Sequence, residues 1–206
     1  MRHACLLTPQ GKFLHDFFIS KDGDSYLLDC EGGERAKDLL KRLTVYRLRS
    51  KVTLEAMEEN PVYAILKDNT SLGIRSFDKP DLPQESFDVW DKLRISLAMA
   101  DGSRDAEIEK STLAELNMED AIDYNKGCYV GQELTARIHH RGLSKKHLFP
   151  VKFEELTPIS GVPLAYQGKN IGEMRSSNQN IGLALLKDES LPPPVDGFYM
   201  LDIGIE

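Results

Sequence analysis

The sequence predicts an α+β protein whose last third closes as a small β-barrel or sandwich, and three observations carry that reading. Short runs joined by turn chemistry open the chain. A helical stripe of leucines follows them. From about residue 145 onward, short apolar runs recur between glycines and turn residues. No run approaches the roughly 18 consecutive apolar residues that a membrane span needs.

Ala4 to Thr8, Lys12 to Ser20 and Ser25 to Cys30 are separated by Pro9-Gln10-Gly11 and Lys21-Asp22-Gly23-Asp24, which makes an antiparallel meander. After Gly32-Gly33, the segment Glu34 to Leu43 carries Ala36, Leu39, Leu40 and Leu43 at helical spacing. Lys51 to Ala56 alternates as a strand and Pro61 to Leu66 is a second apolar run. Asp68-Asn69 reads as a turn leading to a strand at Leu72 to Arg75. Pro80 and Pro83 mark a surface connection. Phe87 to Ala98 then puts Trp90, Leu93, Leu97 and Ala98 on one side of a helix that stops near Asp101-Gly102.

Arg104 to Tyr124 is weakly patterned and reads as loop with a short helix. Gln132 to Arg141 reads as a helix ending at Gly142. The character changes at Leu148-Phe149-Pro150. Val151 to Phe153, Val162 to Tyr166, Asn170 to Arg175, Ile181 to Leu185 and Phe198 to Ile203 are the expected strands, with Ser176 to Asn180 as a turn cluster. This order places two domains at residues 1–144 and 145–206.

Of the 206 residues, 41% are hydrophobic and 29% charged, the usage of an ordinary globular chain. Three cysteines without CxxC spacing, Cys5, Cys30 and Cys128, exclude a disulfide framework or zinc knuckle and fit a reducing compartment. The first residues carry no targeting pattern. A net charge of -7 argues against direct nucleic-acid binding, because phosphate contacts need clustered cations. One window departs from that average. Residues 123–147 hold five cations against two anions, a net of +3 that leaves -10 on the rest.

Inside this window, Cys128 precedes a helix start, where unpaired amides and cations favour a thiolate; a small buried hydrophobe is the alternative. Gly127 and Gly131 bracket Cys128-Tyr129-Val130, spacing that suits a tight turn approaching either a ligand or a neighbouring element. Glu133 and Arg137 are spaced for a helical ion pair. His139 and His140 diverge on a helix, and with no HxxxH spacing no metal site is expected.

The segment Lys126-Gly127-Cys128-Tyr129-Val130-Gly131-Gln132-Glu133, continued by Leu134-Thr135-Ala136-Arg137 and Arg141-Gly142, resembles the signature of the YgfZ family, relatives of the glycine-cleavage T-protein. Leu6 to Leu14 resembles that family's early hairpin, and Gly182 to Leu186 its late barrel strand. His139-His140-Arg141-Gly142 resembles the branch that contains the mitochondrial member.

The resemblance implies a ferredoxin-like α/β portion followed by a small C-terminal β-barrel. It implies a tetrahydrofolate-binding factor that supports iron–sulfur enzymes or cluster-assembly proteins and, indirectly, tRNA modification. Its location would be the bacterial cytoplasm or, in a eukaryote, the mitochondrial matrix. By the same resemblance Glu115 matches the glutamate that holds the pterin ring, and Lys126, Gly127, Tyr129, Gln132 and Arg137 would line the folate site, with Cys128 as the reactive group. Members carry a further helix and strand ahead of the position of Arg2. The T-protein's acidic catalytic turn is reduced to His15-Asp16, which weakens aminomethyl transfer. Direct tRNA binding through the basic window is the other alternative.

Overall fold

In the computed structural model, which describes residues 1–57, 61–66, 74–155 and 158–203, the opening meander is an antiparallel sheet of order β1-β2-β3. Its strands are β1 (Arg2–Leu7), β2 (Phe13–Asp22) and β3 (Ser25–Cys30). The turn between β1 and β2 is closed by Gly11 N–H donating to the Thr8 carbonyl at 2.8 Å and Lys12 N–H donating to Thr8 Oγ1 at 3.1 Å. Gly11 has a φ of 72°, the left-handed conformation that glycine adopts without strain.

Helix α1 (Glu34–Arg47) runs one turn past its leucine stripe, and Leu39 is its fully buried side chain. The strand expected at Lys51 to Ala56 is not formed: 51–57 carries no regular structure, and Val52 N–H is bonded back to the Ser50 carbonyl. Alternation fixes which side chains share a face, but a strand also needs a neighbour to hydrogen-bond, and none lies beside this segment among the described residues. β4 (Tyr63–Ile65) and β5 (Ile74–Ser76) form a two-stranded ribbon. The Asp68-Asn69 turn and residues 72 and 73 of the next expected strand lie outside the described residues.

Helices α2 (Phe87–Ser96), α3 (Gly102–Asp105) and α4 (Gln132–Arg141) follow, with a 3-10 turn at Glu119–Ala121. The last third is one six-stranded sheet built from β6 (Lys146–Lys152), β7 (Pro163–Tyr166), β8 (Lys169–Asn178), β9 (Ile181–Lys187), β10 (Tyr199–Met200) and β11 (Asp202–Ile203), in the order β10-β6-β9-β8-β7-β11. The strand expected at Phe198 to Ile203 is split at Leu201. Its first half pairs parallel with β6 and its second antiparallel with β7. Because one residue joins the two outermost strands, the sheet is drawn round on itself as a barrel.

β9 explains why Ile181 to Leu186 is apolar throughout. Leu183 and Leu185 face a core shared with Leu7, Phe13, Ile95, Leu113, Leu116 and Leu148. Ala184 and Leu186 face the barrel interior with Val151, Leu164, Ile171, Met174 and Leu201. A strand covered on both faces loses its polar alternation.

Two sequence expectations fail inside the barrel. Pro150, left ahead of the strand expected at Val151 to Phe153, sits within β6 opposite Leu183, and β10 begins to pair only at the next residue, Val151. Its missing N–H therefore falls where the second edge of β6 is open. Ser176 to Asn178, read as a turn, belongs to β8. Ser176 and Asn178 are buried because Arg94, fully buried, collects Asp91 at 2.7 Å, Asp105 at 2.8 Å and Ser176 Oγ at 2.8 Å. Asn178 Nδ2 donates to Asp91 at 3.0 Å, and Ser176 N–H to Asp105 at 3.1 Å. The network ties α2 and α3 to the barrel. Burial pushes the Asp91 carboxyl up, but bonds from Arg104 and Asn178 and the Arg94 charge more than reverse this, leaving it below the ordinary value.

Candidate functional site

The Lys126–Glu133 segment folds as a turn that delivers the chain into α4. Gly131 caps the helix with φ 85°. A Cβ there would stand 2.8 Å from Gly11 Cα and 2.9 Å from the Thr8 carbonyl, and a Cβ on Gly11 would stand 2.9 Å from the Gly131 carbonyl. The start of α4 is thus pressed backbone-to-backbone onto the β1–β2 turn. That contact resolves the double reading of the two glycines: Gly131 serves close packing against a neighbouring element. Gly127 has open space at its Cβ position and no positive φ, so packing imposes no glycine there.

Around this junction the side chains brace one another. Tyr129 N–H donates to Gln132 Oε1 at 3.3 Å, and Gln132 N–H returns to the Tyr129 carbonyl at 3.3 Å. The Tyr129 ring packs on the first core and its hydroxyl lies 3.0 Å from Thr135 Oγ1, while Lys126 Nζ sits 4.6 Å from the ring centroid. Arg137 donates to Glu133 Oε1 at 2.6 Å, the expected i,i+4 pair. Lys126, Tyr129 and Gln132 are therefore brought together. Arg137 is turned to its own helical partner.

Glu115 stands apart from them, in a turn after α3. Its Oε2 accepts from Thr112 N–H at 2.7 Å and Thr112 Oγ1 at 2.8 Å, and its own N–H donates to Thr112 Oγ1 at 3.3 Å. This is the reciprocal capping box of a T-x-x-E pair, a spacing legible in the sequence but not singled out there. Oε1 has no partner among the described residues. Thr112 thus orients a half-buried carboxylate with one acceptor open, which fits a ring N–H donor such as a pterin offers. Thr112 and Thr135 both border a void of about 10 Å³ between the Glu115 turn and α4, space for a water and not for a ring.

The three thiols differ sharply. Cys128 is exposed, whereas Cys5 and Cys30 are partly covered. Burial first, then the charges of Asp16 and Asp120, push the Cys5 thiol far up; burial and then Asp29 raise Cys30. His139 stacks on Tyr124 at 3.8 Å, with Nδ1 3.3 Å from Glu119 Oε1, so part of the cation-rich helix end is spent on local packing. Burial, then the Glu119 charge, push the Tyr124 hydroxyl up to about 12. Lys126, Arg141, Lys145 and Lys146 are exposed without an ion-pair partner among the described residues. No group of three or more metal-ligating side chains occurs among the described residues. Asp16 lies on β2 opposite Cys5, 3.4 Å from His3 Nε2.

Comparison with known proteins adds a family frame. The profile of the CAF17 C-terminal β-barrel domain matches residues 145–195. The chain is 30% identical to the human mitochondrial iron–sulfur cluster assembly factor IBA57, covering 94% of this chain and 66% of that protein. The mouse protein gives the same figures, 30%, 94% and 66%. The IBA57 homologue of Pyricularia oryzae is 28% identical over 91% of this chain and 62% of its own length. The chain thus spans just under two thirds of these relatives. Among solved structures, the aminomethyltransferase T of the glycine cleavage system from Bartonella henselae superposes with a TM-score of 0.66 at 11% identity, covering 99% of this chain and 74% of that one. At that identity the likeness speaks for the fold.

Proposed function

The chain belongs to the YgfZ family alongside the IBA57 assembly factors, and from that premise we propose that it is a tetrahydrofolate-binding factor supporting the assembly or repair of iron–sulfur clusters. Its partners are iron–sulfur enzymes or cluster-assembly proteins, and any effect on tRNA modification passes through such an enzyme. It acts in the mitochondrial matrix in a eukaryote and in the cytoplasm in a bacterium. Residues 1–144 form the folate-binding portion and 145–206 the barrel, a division supported by the profile match that begins at residue 145.

The observation that carries the reading is the division of labour in the Lys126–Glu133 segment. Gly131 is locked onto the β1–β2 turn while Cys128, three residues earlier, keeps its side chain exposed. An exposed thiol three residues ahead of a locked helix start is available to a metal–sulfur partner. Lys126, Gly127, Tyr129, Gln132 and Arg137 shape this surface. Glu115 supplies the acceptor for the pterin, with Thr112 holding it in place.

Calorimetric titration with tetrahydrofolate tests the folate half. The wild-type chain binds, and Glu115→Ala, which removes a charge-assisted hydrogen bond, binds at least about tenfold more weakly. Equal affinities would remove Glu115 from the site. Release of methylene-tetrahydrofolate from an aminomethyl donor would instead make the chain a transferase.

A further inference from the structure

A second cavity lies away from Glu115 and the Cys128 turn. It is a cleft of about 700 Å³ between the β4–β5 ribbon, the proline-marked connection and the start of α2. That volume is within the range of small-molecule sites, roughly 300–1,000 Å³. Its walls carry Tyr63, Phe87 and Trp90 together with Arg75, Lys79 and Leu82.

The aromatic wall is held in place. Phe87 and Trp90 pack with ring centroids 5.2 Å apart. The Arg94 guanidinium lies 5.8 Å from the Trp90 ring and that of Arg104 5.5 Å from Phe87. Both arginines belong to the network that fastens α2 to the barrel, so the rings rest on guanidinium groups that are themselves hydrogen-bonded. Arg75 is fixed too. Its Nε is bonded to the buried Asp29 carboxylate, and its guanidinium carbon stacks 4.4 Å over the Phe18 ring. Nη1 and Nη2 have no partner among the described residues. The opposing charges on the lining are Asp101, already paired to Arg104 at 2.8 Å, and Glu85, which Lys79 offsets.

We propose that this cleft binds a planar aromatic carboxylate, the ring lying along Trp90 and Phe87 and the carboxylate taken by the outer nitrogens of Arg75. A pre-set guanidinium offers the paired donors a carboxylate accepts, and an aromatic wall favours a flat ring over an aliphatic chain. This site goes beyond the folate reading and is independent of Glu115, which does not line it.

Trp90 is the chain's single tryptophan, so its indole N–H gives one assignable resonance. The full chain is titrated with 2-naphthoate and with the uncharged 2-naphthalenemethanol, following that resonance by NMR and affinity by calorimetry. Saturable movement of the Trp90 signal by naphthoate is expected, with affinity about tenfold weaker for the alcohol because it cannot take a paired charge-assisted contact. Arg75→Lys keeps a cation for Asp29 but loses the fork, and weakens naphthoate binding by about tenfold as well. Glu115→Gln leaves naphthoate binding unchanged. The proposal is overturned by no saturable shift in the wild-type chain, by equal affinity for the alcohol, by an unaffected Arg75→Lys variant, or by loss of binding in Glu115→Gln.

Discussion

Replacing Gly131 by alanine tests the junction on which Cys128 is mounted. The added methyl would meet Gly11 Cα at 2.8 Å, the Thr8 carbonyl at 2.9 Å and Gly11 N at 3.1 Å. All three are backbone atoms of a turn already closed by the Gly11-to-Thr8 bond at 2.8 Å, so none can give way alone. The φ of 85° adds the left-handed cost of about 1–2 kcal/mol for a residue with a Cβ. Overpacking adds about 1–3 kcal/mol. Together they give about 2–5 kcal/mol, or a fall in Tm of roughly 4–20 °C for a chain this size. Gly127→Ala has open space and an ordinary backbone, so it changes stability by no more than about 1 kcal/mol and in the stabilising direction. Urea unfolding of both variants measures the contrast. Equal stabilities would refute the packing account of Gly131.

Three further outcomes follow from the same contacts. Arg94→Met leaves the buried Asp105 without its cation, strips Asp91 of one of its two, and costs about 3–5 kcal/mol in denaturant unfolding. Iodoacetamide at pH 8 modifies Cys128 well before Cys5 or Cys30, as peptide mass mapping reads; simultaneous labelling of all three would contradict the burial that raises the other two thiols. Asp91 has a folded pKa below its ordinary 3.8, so its contribution is fully present above that value and is lost as pH falls through the folded pKa. Asp91→Asn therefore flattens the acid limb of the stability curve below about pH 4, and an unchanged limb would remove Asp91 as its cause.

The local periods were readable where a segment's own side chains decide its structure. Gln132 to Arg141 is helical over the residues its composition marks, and Ser25 to Cys30 is a strand with the bounds its flanking turns set. Where distant residues decide, the pattern misled. Ser176 to Asn178 carries turn chemistry, yet Arg94, Asp105 and Asp91, some 70 to 90 positions away in sequence, supply the bonds that hold it as a strand with Ser176 and Asn178 buried. Lys51 to Ala56 alternates correctly and pairs with no strand among the described residues.

The site was legible to a similar degree. The Cys128 turn could be located from its spacing, but the reason for Gly131 could not, because its partner Gly11 is 120 positions earlier. Thr112 was readable through the T-x-x-E spacing. The Trp90–Arg75 cleft was not, since its walls come from three separate segments.

The proposal that this chain supports iron–sulfur clusters through the exposed thiol is tested most directly by complementation. Cells lacking their own family member are given the wild-type chain or Cys128→Ala, and iron–sulfur enzyme activity is measured alongside the thermal stability of the purified proteins. Because Cys128 is exposed, the variant keeps wild-type stability. Restored activity with the wild-type chain and lost activity with the equally stable variant is the predicted result; full restoration by Cys128→Ala would contradict it.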